Sequence, residues 1–210
     1  MSERHHGTTS GGAPQLGEPL AIEFANTYYA VRGHHREGIG TPTHLMTWLH
    51  DNSGSLGLNV ERSELAARVD AAEVTAFRVL RAAIRGIAQA VADEQPPHAH
   101  DVRTLNRISA GAPRWPELEV VDGECSISER ARNDIVSGAL ARIARDAIRI
   151  LGSPLRDDLR ACHGPGCVLF FVKDHPRQEW CSAACGNRAR AARHYRRHHH
   201  QSLATADEDG

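Results

Sequence analysis

The sequence predicts a mainly α protein. A helical N-terminal domain with a small β-hairpin is followed by a small C-terminal unit of treble-clef type, ordered knuckle, β-hairpin, helix. Three observations predict this. Apolar residues recur every three to four positions over 62–94 and again over 129–151, the period of an amphipathic helix. Ahead of residue 152, the stretch ELEVVDGECSI joins β-branched residues to an Asp-Gly turn, the signature of a hairpin. Four of the five cysteines then fall in two close pairs between Cys162 and Cys185. A unit that short buries little apolar surface, so something other than a core must hold it.

The bulk numbers exclude several classes. The 210 residues allow one large domain, or one domain with a small appendage. A 24% share of charged residues is ordinary for a soluble globular chain, and 5% aromatics leave the core to Leu, Ile, Val and Ala. No run of about 18 uncharged apolar residues exists, which argues against a membrane span. The opening MSERHHGTTSGGAPQLGEP has no apolar segment of the kind a signal peptide needs, so the expected location is cytoplasmic. In a reducing compartment, cysteines at these spacings point to a metal site or free thiols rather than to disulfides.

Residues 1–17, rich in Gly, Ser, Thr and Pro, are expected to be a disordered lead. Order begins with LAIEFANTYYAV, where Leu20, Ile22, Phe24, Ala25 and Tyr28 suit a buried helix. RGHHREGIGTP reads as a loop, by its glycines and Pro42. THLMTWLHD reads as a short helix with Leu45, Trp48 and Leu49 on one face. Over 62–94 the expected stripe is Leu65, Val69, Ala72, Ala76, Val79, Ala83, Ile87 and Val91, on one helix or two in near continuity. Arg68, Arg78, Arg81 and Arg85 take its other faces, and EQPP (94–97) stops it. DVRTLNRISAG makes another short helix ending at Gly111. In the hairpin that follows, Cys125 is expected to be a small core hydrophobe. Ser128 then caps a helix over 129–151 with Ile135, Ala139, Ile143, Ala147 and Ile150 on its apolar stripe. Gly152-Ser153-Pro154 breaks the chain, so the helical domain is expected over 18–152, the cysteine unit over 153–200, and a disordered acidic tail over 201–210.

The cysteine spacing is Cys162-x4-Cys167-x13-Cys181-x3-Cys185. Two close pairs joined by a short segment supply the four thiolates of a tetrahedral structural zinc, and metal then replaces a core as the source of stability. The segment VLFFV (168–172) is a strand by composition, KDHP a turn, and Cys181 and Cys185 share a face if both lie on a helix. Catalytic chemistry has less support. His35-Arg36-Glu37 matches the H-x-E of zinc deaminases, but their P-C-x-x-C partner is missing. His34, His35, Asp51 and Glu23 show no convergent spacing, so no enzyme is expected.

From 156 to 200 the chain carries nine Lys/Arg against four Asp/Glu, although its overall net charge is −1. On a helix, Cys185, Ala189, Ala192 and Arg196 fall on the side that can lie on the knuckle, while Arg190, Arg193 and Arg197 cluster elsewhere. Small residues inward and arginines outward suit a phosphate backbone. The rival readings are a solvated helix, and a zinc-stabilised module for protein or RNA.

WCSAACGNRARAARHYRR, preceded by the Cys-x4-Cys knuckle and VLFFV, closely resembles the CGNR zinc finger, with Cys185-Gly186-Asn187-Arg188 as its namesake. LAIEFANT (20–27), LMTWL (45–49) and VLRAAIRGI (79–87) resemble the ABATE domain that precedes such fingers. The resemblance implies a bacterial, stress-induced transcription regulator with a DNA-binding finger and an N-terminal domain that senses a small ligand. It implies one zinc on Cys162, Cys167, Cys181 and Cys185, and signature polar positions at Asn187 and Arg188. The expected DNA contacts are Asn187, Arg188, Arg190, Arg193, Arg196 and Arg197. Recognition of a specific sequence by so small a finger calls for a homodimer.

Overall fold

The computed structural model of the chain describes residues 7–8, 12–131 and 134–206. A minimal pair of strands, β1 (Gly7–Thr8) and β2 (Pro14–Gln15), comes first. Ala13 and Leu16 are buried, so the end of the expected disordered lead is part of the packed molecule. Helix α1 (Leu20–Ala25) is short, because the chain turns at Asn26 into β3 (Tyr28–Val31), which pairs antiparallel with β4 (His34–Glu37). The expected loop RGHHREGIGTP is therefore largely a turn and a return strand. Arg32 and Gly33 both take positive φ, 51° and 80°, as a tight hairpin turn requires. The return strand is polar and exposed, which hid it from a pattern of β-branched residues.

Helix α2 (Pro42–Asp51) bears out the short helix, with Thr41 as N-cap and Pro42 in the first turn. It is followed by α3 (Ser53–Leu56), α4 (Arg62–Ala66) and the long α5 (Ala71–Ala92). The expected stripe over 62–94 holds at Leu65, Val69, Ala83 and Ile87 and fails at Ala72 and Val79. The inward face of α5 carries Val74, Phe77, Leu80, Ala83, Ile84, Ile87 and Ala88, whereas Ala72 and Val79 are exposed. The chain breaks after α4, and Asp70 restarts it by accepting from the Ala72 and Glu73 N–H groups, so the helical phase is reset. Arg81, expected on an outer face, is also buried.

Helix α6 (Ala99–Ala110) precedes the hairpin of β5 (Arg114–Val121) and β6 (Glu124–Ala131), turned at Asp122 and Gly123. The hairpin bears out its prediction but stands clear of the core. Leu118 opposes Ile127 and Val120 opposes Cys125, and all four side chains are exposed. Cys125 is thus no core residue. Ser128 lies within β6, and the cap of α7 (Ile135–Leu151) is Asp134, which accepts from the Val136 and Ser137 N–H groups.

Helices α1, α5, α6 and α7 pack together, and α2 closes one side. Phe24 sits at the centre, its ring 5.2 Å from Trp48 and 5.9 Å from Phe77. A 3-10 turn (Pro154–Asp158) leads into β7 (Leu159–Ala161), which pairs antiparallel with β8 (Phe170–Val172). Leu159, Phe170 and Val172 belong to the same apolar cluster as the helices. The last element, α8 (Ala183–Ala206), runs past residue 200, where the acidic tail was expected to begin; the tail's last residues, 207–210, lie outside the described residues.

Candidate zinc centre and basic helix

Strand β7 ends one residue before Cys162, and Cys167 precedes β8, so the knuckle is the loop of the β7–β8 hairpin. The expected order put the hairpin after the knuckle. Instead the strands flank it, and the Cys162 N–H closes the loop on the Leu169 carbonyl at 2.8 Å. The Cys167 N–H donates to the Gly164 carbonyl at 2.8 Å. A Cβ on Gly164 would lie 3.0 Å from the Cys185 Cβ, so this turn must stay free of a side chain. Cys185 lies in the first turn of α8, while Cys181 comes before the helix and does not share its face as expected. The Cys185 N–H donates to the Ser182 hydroxyl at 3.3 Å, which fixes the helix start.

The structure brings Cys162, Cys167, Cys181 and Cys185 together, with their sulfurs all within 4.8 Å of one another. Cys167 and Cys181 sulfurs are 3.8 Å apart, and those of Cys181 and Cys185 are 3.4 Å apart. A tetrahedron with zinc–sulfur bonds of about 2.3 Å has edges of about 3.8 Å, so these four residues fit the ion and would hold it. Left to themselves, four thiols this close cannot all ionise. Hydrogen bonds from Cys162, Cys167 and Cys181 push Cys185 down, and bonding to Cys167 and Cys181 brings Cys162 to about 7. Cys181 is pushed up, chiefly by its bond to Cys162. A dication removes that conflict by letting every sulfur be a thiolate.

The helix supports the site. A Cβ on Gly186 would come within 3.0 Å of Trp180 Cδ1, so α8 approaches that ring only through a glycine. Arg188 donates from Nη2 to the Cys185 sulfur at 3.0 Å. Sequence reasoning assigns Arg188 to nucleic acid; in the structure its guanidinium supports a zinc-site thiolate. Asn187 accepts from Arg190. Ala189 is buried, while Arg190, Arg193, Arg196 and Arg197 are exposed. The expected inward side of α8 holds at Cys185 and Ala189 and in part at Ala192, but Arg196, expected on that side, is exposed with the other arginines, because the helix has by then run past the knuckle.

Residues 18–154 match the ABATE family, described as "Putative stress-induced transcription regulator", and residues 159–198 match the CGNR zinc finger. The chain belongs to the ABATE family. No curated protein matches it. The two matches and the sulfur cluster make this ABATE protein a zinc-binding regulator with one structural zinc in its finger. Among the described residues, no helix is long and apolar enough to cross a membrane.

The ABATE signature acquires a physical role. Asn26, wholly buried, donates from Nδ2 to the Phe170 carbonyl and accepts the Phe170 N–H, both at 2.9 Å. It thus stands in for a neighbouring strand beside β8. Glu18 accepts the Val172 N–H at 2.9 Å, and Arg85 donates to the Val168 carbonyl at 2.8 Å. Thr27 accepts from Arg81, which also binds both Glu37 oxygens. Sequence reasoning missed Glu18, Glu37, Arg81 and Arg85 as a group. The available signal was a pair of arginines four apart within the most apolar run of α5.

Proposed function

We propose that the protein is a DNA-binding transcription regulator whose finger reads DNA through α8. Zinc on Cys162, Cys167, Cys181 and Cys185 fixes the start of the helix. Arg190, Arg193, Arg196 and Arg197 meet phosphates, and Asn187 lies at the same end. Arg188 serves the zinc site first and the DNA only through it. One observation carries the reading: α8 bears a run of exposed arginines and has no acidic residue between Ala183 and Ala206. A helix of that charge, anchored at one end by a metal, offers a rigid cationic edge to a polyanion. The same reading makes the helical domain a sensor that responds to a small ligand, and makes a homodimer the form that reads a specific site.

The test combines metal content with a mobility shift on genomic fragments at two salt concentrations. Wild type should carry one zinc per chain and lose affinity steeply with salt. An Arg190/Arg193/Arg197 triple alanine variant should keep its zinc, and its log–log salt slope should fall by about 0.9 for each phosphate no longer neutralised. Arg188→Ala should instead weaken zinc about tenfold in a chelator competition. Zinc-loaded wild type that ignores DNA, or binds it without salt dependence, would overturn the reading and leave the finger a clip for protein or RNA.

A further inference from the structure

Beside β3, the outer face of α5 forms a cleft of about 560 Å³. Tyr28 makes one wall, and Thr75, Arg78, Val79, Ala82 and Arg85 make the other. Arg81 lines its floor. The larger cleft, between α5, α6 and α7, has mixed charges at its rim, Arg156 and Arg160 against Glu94 and Asp157. The cleft on α5 does not. Glu37 is the carboxylate paired to its arginines, held by Arg81 and lying 3.4 Å from Arg78.

Arg85 is the unbalanced member. Its guanidinium donates to the carbonyls of Ala25, Tyr28 and Val168, and it lies over the rings of Tyr28 at 5.1 Å and Phe170 at 5.0 Å. Among the described residues, no carboxylate reaches it. Burial, with Arg81 beside it, brings its pKa down to about 10, against the support of Tyr28 and Cys167. A half-buried cation with a like-charged neighbour and no carboxylate partner is electrostatically incomplete. The same cleft leaves an apolar surface in water: Val79 is 44% exposed, and Ala82 lies beside it.

We infer that this cleft binds a small carboxylate with an apolar body, its anionic end on Arg78 and Arg85 and its body over Val79 and the Tyr28 ring. Guanidinium forks match a carboxylate in shape and charge, and covering Val79 adds apolar burial. This rests on the sensor reading of the helical domain and names the class of ligand sensed. It also supplies a link. Arg85 holds the Val168 carbonyl, next to Cys167, so an anion that draws on the guanidinium changes its grip on the knuckle. The finger then senses occupancy of the cleft through one side chain.

Calorimetry of the zinc-loaded full chain tests this with three probes. Benzoate carries both features, benzyl alcohol lacks the charge, and inorganic phosphate lacks the apolar body. Benzoate should bind, and the other two should bind about tenfold more weakly or not at all. Val79→Glu places a carboxylate in the cleft at an exposed position, and should weaken benzoate about tenfold or more by like-charge repulsion. Arg78→Gln, at a side chain 55% exposed, should do the same with the fold intact. No heat with millimolar benzoate, equal binding of all three probes, or benzoate binding that survives both substitutions overturns the site. A mobility shift with and without benzoate then tests the link. Benzoate that binds but leaves DNA affinity unchanged sinks the link and keeps the site. Benzoate that binds a chain blind to DNA sinks the DNA reading and keeps the site.

Discussion

At the scale of single residues, the Arg81–Glu37 pair shows what a buried charge demands. Arg81 is 5% exposed and lies on the inward face of α5, so its charge is tolerated only because Glu37 and Thr27 meet it. Burial acts to raise Glu37, but the bond and charge of Arg81, the Ile39 N–H and Arg78 outweigh it and hold Glu37 below its ordinary 4.5. The sign of the pH effect follows. A carboxylate depressed in the folded state adds stability that is complete above its ordinary value and is lost as the pH falls below 4.5. Urea unfolding should therefore show wild type losing stability more steeply below that pH than Glu37→Gln. At neutral pH, Arg81→Met should cost about 3 kcal/mol, because it strands Glu37 without its main partner. Equal acid slopes in wild type and Glu37→Gln would show that the pair does not control acid stability. Little of this was readable in sequence: two arginines four apart in the apolar run of α5 were the one signal, but no local pattern shows Glu37 and Thr27, 44 and 54 positions away, as the groups that meet Arg81.

At the scale of elements, legibility followed burial. Helices α2, α6 and α7 showed in the sequence because each has one wet and one dry face, so the apolar period reports the packing. The β3–β4 hairpin did not, because its second strand, His34–Glu37, faces mostly water and carries no apolar alternation. The β5–β6 hairpin misled in the opposite way. Cys125 was expected to be a core residue, yet it and its neighbours Leu118, Val120 and Ile127 are exposed, and among the described residues nothing buries them. The consequence is measurable. Ile127→Ser, at a residue 79% exposed, should change stability by no more than about 0.5 kcal/mol. Cys125 should react with a thiol reagent in the zinc-loaded native protein while the four clustered cysteines stay protected. A loss of several kcal/mol in Ile127→Ser, or a protected Cys125, would mean that something in solution covers the hairpin.

At the scale of the whole molecule, the two sequence units behave as one packed body. The cysteine spacing announced the zinc site almost completely, because thiolate geometry allows few alternatives. It did not announce that β7 and β8 would share the helices' core through Leu159, Phe170 and Val172. Nor did it show that Asn26 and Glu18 would hold the backbone of β8. Such bonds join residues 144 positions or more apart, where no local pattern reaches. They make zinc binding a property of the whole fold. A ligand that binds only the folded state raises its stability by mass action, and here the folded state of the finger includes the helical core. Differential scanning calorimetry should therefore show one cooperative transition that moves down as a whole when zinc is chelated. Asn26→Ala removes the double bond to Phe170 and leaves two buried backbone groups unpaired, each costing about 1–3 kcal/mol. That variant should separate the transition into a zinc-sensitive part and a zinc-insensitive part. Two transitions in wild type, the upper one indifferent to chelation, would mean that the finger is an independent bead, and that no signal from the helical domain could reach it through Asn26, Glu18 and Arg85.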